Sequence, residues 1–159
     1  MGVGFAIMSS DQHSTIHATA VLVGARAVLI LGPPGVGKSR LALALLAAAQ
    51  TGQLSFARLV GDDRVLIEPV HGRLLVRPAP ALAGLLEVRG LGIRRVPHEP
   101  VAVVGAVLEL AVGDAGRLPE PASRETQIAK IRLPRLAVAP GVEPLSLLVA
   151  FLQTADALT

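Results

Sequence analysis

Residues 28–39 read VLILGPPGVGKS, an apolar run that passes into Gly32, Pro33, Pro34, Gly35, Val36, Gly37, Lys38 and Ser39. The last eight positions fit the spacing G-x-x-x-x-G-K-[ST]. In that pattern glycines let backbone N–H groups close around phosphate oxygens, the lysine neutralises charge, and the hydroxyl reaches a divalent cation. Val28, Leu29, Ile30 and Leu31 predict a buried strand. Residues 39–49, SRLALALLAAA, predict a helix whose N-terminus aims its dipole at the phosphates. A glycine turn with no ligand can match so short a pattern, but the strand before it and the helix after it remove most such matches. The two prolines should stiffen the turn, and neither has an N–H to donate.

The chain has 159 residues, enough for one domain with a sizeable core. Hydrophobic residues make up 52% of it, which predicts either a sheet buried on both faces or an oligomer that covers apolar surface. Three Phe and no Trp or Tyr leave it without the aromatic platforms on which single-stranded nucleic acid stacks. The net charge is +3, but Arg58, Arg64, Arg73, Arg77, Arg89, Arg94 and Arg95 are scattered in the manner of a solvated surface, and no nucleic-acid partner is expected. The absence of cysteine rules out disulfides and thiolate metal sites. The N-terminus has neither the basic nor the apolar region of a secretory signal, and no apolar run approaches the ~18 residues that span a bilayer. A cytoplasmic protein without membrane contact is expected. Residues 1–13 read as a flexible leader and residues 14–159 as a single domain.

Around the loop, residues 16–23 (IHATAVLV) form a β-rich run, and Gly24, Ala25 and Arg26 turn it into the next strand, a predicted hairpin. Residues 56–60 (FARLV) are a further strand, ending at Gly61, Asp62 and Asp63. An acidic pair at a strand end fits a nucleotide-dependent enzyme, in which one carboxylate accepts a proton from a hydroxyl. It also fits an Asp-rich turn, and the glycine loop upstream favours the first reading. Residues 64–68 and 73–77 alternate about His71 and Gly72 as a second hairpin. Residues 81–86 read as a weakly structured approach to Glu87, Val88, Arg89, Gly90, Leu91, Gly92 and Ile93. If that segment is extended, Glu87 and Arg89 share a face and can address one ligand, and the flanking glycines permit close backbone approach; a surface ion pair beside a turn is the other reading. Residues 101–112 predict a buried strand with Gly105 at a bulge. Residues 126–138 predict short β-pieces at an edge because of Pro134, and residues 144–158 predict an amphipathic C-terminal helix bearing Leu145, Leu148, Phe151, Leu152 and Ala155.

The set His17-Ala18-Thr19, the glycine loop, the run LVGDDRV at residues 59–65 and the run LEVRGLGI at residues 86–93 resembles the C-terminal catalytic domain of bacterial HPr kinase/phosphorylase, in a compact single-domain form. The resemblance covers roughly residues 14–142. It implies an α/β fold of the kind shared with phosphoenolpyruvate carboxykinase, a P-loop kinase domain with a mixed, largely antiparallel sheet, the loop helix and the C-terminal helix. The hairpins read above agree with that. It further implies an ATP- and Mg²⁺-dependent protein-serine kinase whose substrate is the phosphocarrier protein HPr of the phosphotransferase system.

By the same resemblance, residues 32–39 bind the nucleotide phosphates, with Lys38 on the β- and γ-phosphoryl groups. Ser39 and Glu87 hold Mg²⁺. Asp63, coupled to Asp62, accepts the serine proton, and His17 supports the pair. Arg89 meets the transferring phosphoryl group, and Arg117, in the run GRLP, is a second catalytic arginine. The family segment linked to phosphorolysis corresponds to Ala137-Val138-Ala139-Pro140-Gly141-Val142-Glu143, where the Pro-Gly pair remains but its basic neighbours are replaced. The kinase reaction is therefore expected rather than the phosphorylase reaction. A homo-oligomer is expected, of an order the sequence leaves open. The alternative is a regulatory module that binds ATP or phosphate without phosphorylating HPr; the Asp62-Asp63 pair beside Glu87 and Arg89 speaks against it, since a sensor needs no base.

Overall fold

The computed structural model describes residues 13–116 and 119–155. Arg117 and all of the expected leader except His13 lie outside the described residues. His13 Nε2 is 3.4 Å from Glu68 Oε1.

Among the described residues, eleven strands and two α-helices follow one another: β1 (Ser14–Ile16), β2 (Thr19–Val23), β3 (Arg26–Leu31), α1 (Lys38–Gln50), β4 (Ala57–Gly61), β5 (Val65–Val70), β6 (Arg73–Pro78), β7 (Leu85–Val88), β8 (Gly92–Arg95), β9 (Ala102–Leu110), β10 (Glu125–Ile128), β11 (Ile131–Val138) and α2 (Pro144–Gln153). Nine strands form one sheet, with the path β1-β5-β6-β9-β3-β2-β4; β11 adds to β9 and carries β10, while β7 and β8 make a separate hairpin. Among the paired strands of the described residues, only β3 with β9 and β9 with β11 run parallel. The sheet is thus mixed and largely antiparallel, as expected. Among the described residues no helix is long and apolar enough to cross a membrane.

Strand β9 is the hub. Along one side it pairs with β3. Along the other it pairs first with β6, through Ala102 and Val103, and then with β11, through Val107, Leu108, Glu109 and Leu110. The expected bulge is present: Ala27 pairs with Val104 but Val28 pairs with Ala106, so Gly105 is the extra residue. A β-carbon there would come within 2.6 Å of Arg26 Cβ, which only glycine avoids. The bulge also switches the faces of β9. Val104 and Val107, three apart, both enter one core cluster, and Leu108 and Leu110 enter the other.

These two clusters lie on opposite faces of the central strands. On one face, Val28, Ile30 and Leu108 pack against Leu41, Ala42 and Leu45 of α1 and Leu148 and Val149 of α2. On the other, Ala27, Leu29 and Val107 pack against Val65, Ile67, Leu74 and Val76 of the β5–β6 arm. The sheet is therefore buried on both sides, one of the two arrangements the apolar content predicted.

Several expectations need correction. The run at residues 16–23 is not one strand: it breaks at His17 and Ala18, so that β1 pairs with β5 and β2 with β3 and β4. Residues 81–86 are better ordered than expected, with a 3₁₀ turn at Pro80–Leu82 and Leu86 fully buried in the core. Pro134 does not interrupt β11, although the edge position is as expected, since each β11 residue pairs on one side only. It falls where β11 passes from pairing with β10 to pairing with β9, so its missing N–H coincides with the change of partner. Helix α2 stops at Gln153, where Thr154 caps it. Val149 is on its buried face, and Leu152 is 37% exposed.

Candidate active site

Because β3 and β9 are parallel and adjacent, the chain leaves β3 at Leu31 beside the end of β9. Gly32 is required there, since a β-carbon would sit 2.8 Å from Val36 Cγ1 and 3.2 Å from Leu110 Cβ. The loop then closes with Val36 N–H donating to the Pro33 carbonyl at 3.3 Å. Gly37 opens α1 in the left-handed region, with no side-chain cap and no acidic residue in the first turn. The first N–H groups of α1 are thus presented with the positive end of the helix dipole, the arrangement that receives phosphate. Lys38 Nζ donates to the carbonyls of Gly32 at 2.7 Å and Pro33 at 3.1 Å, which holds the ammonium over the loop.

The acidic pair at the end of β4 divides. Asp62 is 4% exposed. Its Oδ1 accepts from Thr19 Oγ1 at 2.7 Å, Ser39 Oγ donates to Oδ1 and Oδ2 at 2.8 and 2.9 Å, and the Glu87 N–H donates to Oδ2 at 3.1 Å. One buried carboxylate thereby joins β2, α1 and β7, and its burial is offset by charge-assisted hydrogen bonds. Asp63 points the other way. It is exposed, with φ 69°, inside a tight turn closed by the Arg64 N–H on the Asp62 carbonyl at 2.8 Å. Aspartate tolerates this left-handed conformation better than most residues.

A cavity of about 650 Å³ lies beyond the loop, and its walls include Lys38, Ser39, Arg40, Asp63, Glu87 and Arg89. Glu87 reaches it from β7 and Arg89 from the turn between β7 and β8. The extended same-face reading of that pair is therefore replaced by a hairpin in which strand and turn converge on one space. Gly90 and Gly92 serve the hairpin's positive φ angles, 90° and 93°, and both line the cavity.

Of the residues expected in the site, the cavity brings together Pro34, Gly35, Gly37, Lys38, Ser39, Asp63, Glu87 and Arg89. Gly32 and Pro33 form the base of the loop, and Val36 turns toward a second cavity. Asp62 lies beneath as the common acceptor. His17 is exposed at the bend between β1 and β2 and is not among the cavity-lining residues. Two participants carried no role in the sequence reading. Thr19 is a fully buried hydroxyl in the otherwise apolar strand TAVLV, and a lone polar residue in such a run signals a buried partner. Arg40, on the first turn of α1, lines both cavities.

The donors converging on the larger cavity are all oxygens: the Ser39 hydroxyl and the carboxylates of Asp63 and Glu87. Such a set fits Mg²⁺, which is commonly held by one or two carboxylates together with phosphate oxygens and water. With a helix N-terminus and a lysine on one wall and an arginine on another, the space can hold a polyphosphate and neutralise it from two sides.

Comparisons with known proteins identify the family and the fold. Residues 9–99 match the family model described as the HPr Serine kinase C-terminal domain. The chain is 40% identical over 82 residues to an HPr kinase/phosphorylase of Clostridium tetani, an overlap of 52% of this chain and 25% of that protein. To the HPr kinase/phosphorylase of Caldicellulosiruptor bescii it is 44% identical over 85 residues, 53% of this chain and 25% of that one. The chain thus spans about a quarter of the length of these curated relatives. Among solved structures, the HPr(Ser) kinase/phosphatase of Coxiella burnetii superposes with a TM-score of 0.69 at 26% identity, covering 87% of this chain and 93% of that one.

Proposed function

The chain belongs to the HPr serine kinase C-terminal domain family, and on that premise we propose that it is a cytoplasmic, ATP-dependent protein-serine kinase acting on HPr in phosphotransferase-system regulation. The observation that carries the reading is the convergence of Lys38, Ser39, Asp63, Glu87 and Arg89 from three separate elements on one cavity. Phosphoryl transfer asks for positioning and charge neutralisation more than for covalent chemistry, and these residues supply both.

In this reading the loop N–H groups and Lys38 bind the phosphate chain. The incoming serine hydroxyl gives its proton to the Asp63 carboxylate as its oxygen attacks the γ-phosphorus, and ADP leaves. Arg89 neutralises the transferring group. Ser39 and Glu87 would hold Mg²⁺, which when bound neutralises charge on the phosphates. Asp62 keeps the Ser39 hydroxyl and the Glu87 backbone in place. Because Asp62 is saturated by its partners and Asp63 faces the cavity, Asp63 is the proton acceptor. His17 retains the supporting role, and Arg117 the role of second catalytic arginine, that the resemblance implies. The segment Ala137-Val138-Ala139-Pro140-Gly141-Val142-Glu143 offers no basic side chain, so the forward kinase reaction dominates over phosphorolysis, and assembly as a homo-oligomer belongs to the same reading.

The test is incubation with ATP, Mg²⁺ and HPr, followed by mass spectrometry of HPr. Phosphoserine is expected with the wild type and not with Lys38→Ala. Asp63→Asn should slow transfer by about 10²–10⁴-fold while keeping ATP affinity. Wild-type protein that binds ATP but leaves HPr unmodified, with Asp63→Asn no different from it, would overturn the kinase in favour of a nucleotide-sensing module.

A further inference from the structure

Every second side chain of β2 faces the helices. Along that row Val21 and Val23 belong to the cluster packed against α1, and Thr19 is the next position. Ile30 lies opposite Thr19 and Val28 opposite Val21, and both of these residues join the same cluster. Thr19 is as fully buried as Val21. Packing alone calls for an aliphatic side chain there, and valine has the same branched shape. The hydroxyl therefore answers a different need, and its hydrogen bond identifies it: Thr19 Oγ1 donates to Asp62 Oδ1 at 2.7 Å.

Asp62 stands between the two residues to which the kinase reading assigns the cation. Ser39 Oγ donates to its oxygens at 2.8 and 2.9 Å, and the Glu87 N–H donates to Oδ2 at 3.1 Å. A hydroxyl that gives its proton to Asp62 keeps its lone pairs for a cation. Ser39 belongs to α1 and Glu87 to β7, so one carboxylate sets the separation of two elements. Its rotation about Cβ–Cγ is soft, because torsions of this kind have broad, roughly two-fold preferences. Ser39 and Glu87 cannot define that rotation, being the groups to be placed. Thr19 is the third donor. It comes from β2, which is paired on both sides, with β3 and with β4, and so offers a fixed reference.

We propose that Thr19 is a positioning residue for the divalent cation: by fixing the Asp62 carboxylate against β2, it holds Ser39 and Glu87 at the separation a small ion requires. The inference rests on the kinase reading above and deepens its cation site. Mg²⁺ demands near-ideal octahedral geometry at about 2.0–2.1 Å, whereas Ca²⁺ accepts less regular shells at about 2.3–2.6 Å. A carboxylate pinned in one rotation favours the smaller ion, and one free to turn discriminates less. Thr19 does this through Asp62, which makes it a part of the site that reads in the sequence as an ordinary strand residue.

Calorimetric titration of the full chain with ATP measures the effect without reference to turnover. Each protein is titrated in Mg²⁺, in Ca²⁺ and in a chelator with neither ion. The variants are Thr19→Val, which keeps the shape and removes the donor, and Thr19→Ser, which keeps the donor and removes a methyl group. In the wild type Mg²⁺ should raise ATP affinity more than Ca²⁺ does. Thr19→Val should lose about tenfold of the Mg²⁺ enhancement, the low end of the roughly 10–100-fold that loss of a partner behind metal ligands costs. Its Ca²⁺ enhancement should fall less, and its metal-free affinity should match the wild type, which also reports an intact phosphate loop. Thr19→Ser should retain the wild-type preference for Mg²⁺. An undiminished Mg²⁺ enhancement in Thr19→Val, equal losses with both ions, a matching loss without metal, or a Thr19→Ser as impaired as Thr19→Val overturns the positioning role and leaves the proposed function standing. A wild type that binds no ATP, or gains nothing from Mg²⁺, overturns the kinase reading and this inference with it.

Discussion

At the scale of single residues, the site depends on two neighbouring aspartates doing opposite things. Asp62 is buried and receives Thr19, Ser39 and the Glu87 N–H, while the left-handed turn at Asp63 sends the next side chain into the cavity. Thr19→Val keeps the shape of the side chain but removes the donor, leaving the buried Asp62 carboxylate with one partner fewer. A stability loss of about 1–3 kcal/mol is expected, measurable by urea unfolding. The sequence made the pair visible as a candidate, because an acidic doublet follows an apolar run downstream of a glycine loop. It did not separate their roles, since adjacent residues have identical local surroundings until the backbone takes a positive φ. For the same reason Glu87 and Arg89 were legible as partners but not in their arrangement. The same-face reading assumes an extended chain, and the chain turns at Arg89.

At the scale of elements, helix α2 closes the wall behind the loop, and Glu143 holds its N-terminus. The hydrogen bonds to its carboxylate, from Ser146 first and then Leu145, lower its pKa from the ordinary value of 4.5. The sign follows directly. A carboxylate whose folded pKa is depressed contributes stability that is complete above 4.5 and is lost as pH falls through the lower folded value. Asp114 is depressed likewise, chiefly by its hydrogen bond to Arg135, which also pairs with Glu109 and draws the segment after β9 onto β11. Acid titration below pH 4.5 should therefore loosen α2 first, read as loss of protection at the Leu145 and Ser146 amides, and Glu143→Gln should make that response much shallower. Gln153 Nε2, which donates to the Gln53 carbonyl at 3.1 Å, ties the other end of α2 to the loop after α1. The helices and the two hairpins were legible because their signals are local: apolar periodicity, and glycine turns between alternating runs. The break at His17 was not, because strand partners lie far away in sequence. Ile16 and Thr19 belong to neighbouring runs of similar composition, yet one joins β5 and the other β3.

At the scale of the molecule, the family match leaves out the strand that joins the parts of the sheet. The family match ends at residue 99, before β9 begins at Ala102. Yet β9 pairs with β3, β6 and β11, and its side chains contribute to both core clusters. A chain ending at residue 100 keeps almost every proposed site residue and loses the strand that aligns them. It is expected to be unfolded by circular dichroism at a temperature where the 159-residue chain is folded. Motif reading picked out residues that the fold brings to one cavity, because phosphate binding constrains residue identity. It was silent on how β9 forks between β6 and β11, since any strand of apolar residues satisfies that geometry.

The bulge at Gly105 has a bearing on how β9 can change through mutation. Substituting an apolar residue within the strand alters volume at one place. Removing a single residue alters parity, because sheet faces alternate with a period of two. Gly105 is the exception: because it is the extra residue, its deletion leaves Val104 opposite Ala27 followed directly by Ala106 opposite Val28, and Val107, Leu108 and Leu110 keep their sides. For this strand the bulge works as a reading-frame correction: were the chain to keep Gly105 but lose the bulge, Val107, Leu108 and Leu110 would each be presented to the wrong half of the core.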